Sequence, residues 1–225
     1  MKLAGLLLSL FAFSAVPPLH AAACVPALLS VYDTPSFSCA MGGSLVVTDF
    51  AFNLLAHSVV VADTDITVTP VFRVDRYGLQ FSSPKFNVTG SDFVNLEINY
   101  TWDPTDIRSL EDALDTSTPV APGFVKVTTT GCEGFAFSGS LCAGTTTTLM
   151  VSHDGITPIL FDSSLPFPSG TQTLGIRNAV DFDANTASSE FTSFTNTVVV
   201  PEPSTVTAGL FLLSLLLRRY RVRVR

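Results

Sequence analysis

Hydrophobic and polar residues alternate with a period of two along much of this chain. Val94, Leu96, Ile98, Tyr100 and Trp102 hold one phase, and Asn95, Glu97, Asn99 and Thr101 hold the other. Ile66, Val68, Pro70, Phe72 and Val74 repeat the pattern. So do Leu174, Ile176, Asn178, Val180 and Phe182, with one polar break at Asn178. A strand sends successive side chains to opposite faces, so each run offers one face to a core and one to water. Runs rich in Val, Thr and Phe at 45–55, 146–151 and 191–200 add further strands. Turn signals stand between them: Met41-Gly42-Gly43, Tyr77-Gly78, Thr89-Gly90-Ser91, Asp154-Gly155 and Pro168-Ser169-Gly170. Many short strands with frequent turns predict an all-β, antiparallel β-sandwich of Greek-key-like connectivity, its inner faces filled by Phe. One stretch departs from the period. Ile107, Leu110 and Leu114 recur at helical spacing, with Asp103 or Thr105 placed to cap, which predicts a short helix or an irregular excursion.

The two ends follow neither pattern. Lys2 precedes an apolar run of 14 residues from Leu3 to Val16, broken by Pro17-Pro18 and followed by Ala21-Ala22-Ala23. At ~1.5 Å per residue such a helix reaches about 21 Å, short of a ~30 Å hydrocarbon core. Residues 1–23 therefore read as a signal peptide, with cleavage before Cys24. At the other end, Pro201-Glu202-Pro203 precedes a nearly all-apolar run from Val206 to Leu217. Arg218, Arg219 and Arg221 open a cluster of five arginines that closes the chain. The apolar run partitions into lipid as a transmembrane helix, and the arginines resist translocation. One domain, 24–200, is left between these two addresses and is expected outside the cytoplasm after Sec export.

The tail resembles the PEP-CTERM sorting signal of Gram-negative bacteria. Pro201-Glu202-Pro203, the hydrophobic run and the terminal arginines occur in that order over 201–225. The resemblance implies processing by exosortase, an integral-membrane transpeptidase. Pro201, Glu202 and Pro203 would be recognised, and the arginines would stop transfer. A looser likeness to uncharacterised PEP-CTERM proteins runs through the middle of the chain. It rests on Cys24, Phe37-Ser38-Cys39, Phe50-Ala51-Phe52-Asn53, Tyr77-Gly78-Leu79-Gln80-Phe81 and the loop from Gly131-Cys132 to Cys142. It implies the group's sandwich and its disulfides, and no activity. The expected product is an inner-membrane-anchored precursor, then a cell-surface or extracellular-matrix protein with a structural or interaction role.

Composition sharpens this once the ends are set aside. The chain of 225 residues carries 12 Lys and Arg against 19 Asp and Glu, a net charge of −7. Lys2 and the five C-terminal arginines take half of the cations, whereas every acid lies within 24–203. The exported part is thus strongly acidic, which favours solubility and excludes nucleic acid as a partner. Intrinsic disorder is excluded by 47% apolar residues and 18 Phe.

Candidate chemistry is sparse. Four cysteines allow three pairings; the local one joins Cys24 to Cys39 and Cys132 to Cys142. Zinc is disfavoured by the absence of any C-x-x-C pair. His57 lies in an apparent strand and His153 beside a turn, with no Gly-x-Ser-x-Gly elbow. The acids Asp103, Asp106, Glu111, Asp112 and Asp115 read as a solvated loop surface rather than a glycosidase pair. A secreted glycosidase or esterase is therefore the least favoured reading, and neither enzyme activity nor a cofactor is expected. Asp181, Asp183 and Asn185 place oxygens at alternate positions, a weak calcium candidate without the Gly and Glu of an EF-hand loop. The alternative function is a carbohydrate-binding module of the exopolysaccharide matrix. Trp102 and Tyr100 are its nominated aromatics, although they share the apolar phase of their strand.

Overall fold

The computed structural model describes residues 21–42, 45–73, 75–103, 106–167 and 171–200. Strands dominate them. The first part runs β1 (Ala27–Leu28), a one-turn helix α1 (Leu29–Tyr32), β2 (Ser38–Gly42), β3 (Leu45–His57), β4 (Thr67–Phe72) and β5 (Arg76–Ser82). Then come β6 (Asn87–Thr89), β7 (Phe93–Asp103), β8 (Ser109–Leu114), β9 (Phe124–Glu133) and β10 (Thr145–His153). The last described part holds β11 (Pro158–Ile159), β12 (Phe161–Ser163), β13 (Leu174–Asp183), β14 (Ser188–Glu190) and β15 (Ser193–Val199).

Two antiparallel sheets face each other. One has the order β1-β4-β5-β15-β8-β12, the other β11-β10-β9-β13-β7-β3-β2, and β14-β6 forms a small third ribbon. The late strands sit at the centres: β13 lies between β7 and β9, and β15 between β5 and β8. Both sheets therefore close only when the C-terminal third of the domain inserts, a contact pattern of high sequence separation.

The core follows the predicted phases. Val94, Leu96, Ile98, Tyr100 and Trp102 are all buried, as are Leu174, Ile176, Asn178, Val180 and Phe182. Phenylalanines fill the gap between sheets. Phe81 of β5 stacks on Phe194 of β15 at 5.0 Å, and its ring lies 5.8 Å from Tyr100 on the opposite sheet. Phe86, Phe182 and Phe191 make a second cluster, with Phe86 stacked 4.4 Å from Phe191. Such offset-stacked and edge-on pairs add to the burial of large rings.

Three expectations need correction. The stretch 106–115 holds no helix: residues 109–114 form β8, with Leu110, Asp112 and Leu114 on its inner face. Helical spacing of Ile107, Leu110 and Leu114 arose by coincidence, because a polar residue occupies the inner phase between two leucines. Tyr77-Gly78 is no turn but lies within β5. A Cβ on Gly78 would sit 2.6 Å from the Asn196 carbonyl oxygen and 2.8 Å from Thr197 Oγ1, so the glycine serves close packing of β5 against β15. Gly78→Ala should cost about 1–3 kcal/mol. A thermal melt checks this, and an unchanged midpoint would show that the two strands are not held so close. Finally, Phe72 stays exposed despite its apolar phase, at the end of β4, where its ring meets Tyr77 edge-on at 6.4 Å.

Candidate functional site

Both disulfides take the local pairing, Cys24–Cys39 and Cys132–Cys142, with Cα separations of 4.8 and 5.6 Å. Every cysteine is paired, which fits an oxidising compartment. The first ties the start of the domain to β2, where Cys24 N–H also donates to the Ala40 carbonyl at 2.9 Å. The second fastens the 134–144 loop onto the outer face of β13. There the Arg177 guanidinium donates to the Ser140 carbonyl at 3.0 Å and lies 5.4 Å from the Phe137 ring centroid.

Trp102 and Tyr100 are buried and turned into the core, so neither can meet a ligand from solvent. The calcium candidates point to a structural use. Asp181 lies 3.8 Å from Lys126, and Asp183 accepts the Asn185 backbone N–H at 2.7 Å, closing a tight turn with Asn185 at φ 43°. Among the described residues no group of three or more His, Cys, Asp or Glu side chains gathers as a metal site requires. Pro201, Glu202, Pro203 and Arg218, Arg219 and Arg221 lie outside the described residues, as do most of the signal segment and the expected transmembrane helix. Among the described residues no helix is long and apolar enough to cross a membrane.

One pairing is invisible in the sequence. His153 Nδ1 lies 2.9 Å from Ser117 Oγ and 3.2 Å from the Ser117 carbonyl oxygen. An Nδ1–H donating to that carbonyl leaves the ring unable to take the hydroxyl proton at the same nitrogen. No carboxylate among the described residues bonds the ring to orient it as a triad base.

A concavity with a volume of about 310 Å³ lies on the outer face of the six-stranded sheet. Strand register builds it. One cross-strand row runs Thr69, Gln80, Thr195, Ala113, Phe161, and the next runs Val71, Gly78, Thr197, Glu111, Ser163. Ala113 is the short residue at its floor. Arg76 grips Glu111 through two bonds, Nε to Oε2 at 2.9 Å and the terminal nitrogen to Oε1 at 3.1 Å. This fork geometry fixes both side chains. Asp115 Oδ2 accepts Gln80 Nε2 at 2.9 Å, Ser193 Oγ at 2.7 Å and Thr195 Oγ1 at 3.3 Å. Arg73 and the exposed Phe161 complete the lining.

Beneath this cleft, between the sheets, five strands contribute one polar residue each. Asn196 Nδ2 donates to Asp112 Oδ1 at 2.5 Å and to Thr129 Oγ1 at 3.2 Å. Tyr100 OH donates to Asn196 Oδ1 at 2.9 Å, and Thr129 Oγ1 donates to Asn178 Oδ1 at 2.7 Å. Asp112 Oδ2 has no partner. Burial pushes the Asp112 carboxyl up to about 7, with the Asp162 charge adding to the rise and the hydrogen bond from Asn196 opposing it. Asp112 is thus a core residue and not the solvated loop acid that its sequence neighbourhood suggests.

No family model matches the chain, and no curated protein matches it by sequence. Among solved structures it is similar to the carbohydrate-binding module TmCBM61 in complex with β-1,4-galactotriose. The TM-score is 0.33 and the identity 9%, over 67% of this chain and 84% of that one. A likeness at that level carries no argument about ligand or mechanism.

Proposed function

We propose that this protein is an exported β-sandwich, handed to exosortase through its C-terminal segment and displayed at the cell surface or released into the extracellular matrix. Its role there is structural or interaction-based rather than catalytic. The observation that carries the reading is the order of parts in the tail: Pro201-Glu202-Pro203, an apolar run, then the arginine cluster. The fully paired cysteines agree with an exported domain.

Intact mass of the protein recovered from the extracellular fraction tests this. The chain should begin at Cys24 and lack the arginine cluster. Recovery of a chain still ending at Arg225 would overturn the sorting step, and recovery only from the cytoplasm would overturn export.

A further inference from the structure

We propose that the cleft on the outer face of the six-stranded sheet binds a neutral, hydroxyl-rich glycan chain. This deepens the reading of the protein as an exported interaction domain and rests on it. The volume of about 310 Å³ sits at the small end of the ~300–1,000 Å³ range of ligand pockets, enough for a short stretch of polymer lying across the sheet. The cleft is also preorganised: the Arg76–Glu111 fork and the three donors on Asp115 hold its polar groups in place before any ligand arrives.

Those groups keep spare hydrogen-bonding capacity. Among the described residues no donor reaches Asp115 Oδ1, since all three go to Oδ2. Among the described residues nothing engages the Arg73 guanidinium or the Thr197 hydroxyl. A carboxylate oxygen, a guanidinium and a hydroxyl are what vicinal hydroxyls can pair with as both donors and acceptors. Phe161, 58% exposed at the rim, offers an apolar face to the C–H side of a sugar ring, as an aromatic anchor does elsewhere. Charge decides between glycan types. Glu111 already neutralises Arg76 and Asp115 offsets Arg73, so the lining offers no net positive charge to an anionic ligand approaching a domain with an excess of acids. A neutral polyol displaces no charge.

Titration calorimetry of the full chain in a non-glycosidic detergent tests the assignment. The probes are neutral β-linked glucan, galactan and mannan oligosaccharides and a uronic-acid oligomer. At least one neutral probe should bind, and Phe161→Ala should weaken it by about tenfold. Ala113→Trp, which fills the floor, should abolish the heat, with the thermal midpoint of both variants within a few degrees of the parent. No heat from any neutral probe overturns the proposal. So does stronger binding of the uronic-acid oligomer, or binding indifferent to Phe161→Ala. Failure of the sorting step would appear in the intact mass of the exported protein and leave these titrations unchanged.

Discussion

Asp112→Asn should make this protein more stable at pH 8 and leave it nearly unchanged at pH 3.5. The Asp112 carboxyl is 1% exposed and is raised to about 7 from an ordinary value of 3.8, chiefly by burial. Between those two values the folded state holds a proton that the unfolded chain releases. Stability therefore falls as pH rises through this window. Below it both states are protonated and the native fold keeps the full contribution. Above it the folded state must bury an anion, a loss on the order of 4 kcal/mol at ~1.4 kcal/mol per pKa unit. Asparagine keeps an oxygen to accept Asn196 Nδ2 and removes the charge. At about 2–4 °C per kcal/mol for a domain of this size, the variant's melting point at pH 8 should stand roughly 8–16 °C above the parent. Other carboxyls move too: Asp33 and Asp181 are raised by burial, while Asp65 and Asp154 are lowered by Lys85 and by backbone N–H groups respectively. They are common to both proteins and cancel in the difference. Parallel pH profiles for parent and variant would show that Asp112 is not buried as an acid.

The network around Asp112 explains both what the sequence could tell and what it hid. Strands with uninterrupted apolar phases, such as Val94 to Trp102, were legible because burial on one face imposes period two. β8 was not, since Asp112 breaks that phase and lets the flanking leucines imitate a helix. Asn178 and Asn196 are polar breaks of the same kind, each on an inner face. A polar residue in a core position makes sense only beside its partners, and these come from strands far apart in the chain. The cleft was hidden for a related reason. Arg76 of β5, Glu111 and Ala113 of β8, and Thr195 of β15 occupy ordinary solvent-facing positions of three strands, and no linear motif joins them. Among the described residues glycine misled at Gly78. Gly90 and Gly155 have φ of 67° and 79° and do turn the chain, whereas Gly78 answers to the neighbouring strand. The local disulfide pairing was one option among three until the fold brought the start of the domain beside β2.

The same logic predicts that Trp102→Ala will be among the most damaging single substitutions in the domain. Trp102 is 0% exposed, held in register between Val47 of β3 and Leu174 of β13. Its ring meets Tyr100 edge-on at 5.9 Å, and Tyr100 in turn stacks on Phe50 at 5.3 Å. Truncation removes the largest side chain of a row clamped by backbone bonds on both sides, so the sheet cannot collapse into the void. The cost should be about 3–5 kcal/mol, a fall in melting point of roughly 6–20 °C at 2–4 °C per kcal/mol. Trp102→Phe keeps an aromatic ring in the row and should lose less than half as much. Because Trp102 is the sole tryptophan, its fluorescence reports directly on this site: emission in the native state should be that of a dry indole and should shift to the red on unfolding. A sugar-stacking tryptophan would behave in the opposite way, emitting as a wet indole and tolerating alanine with an unchanged melting point. A small change in melting point together with red-shifted native emission would therefore remove Trp102 from the core and return it to the list of ligand contacts.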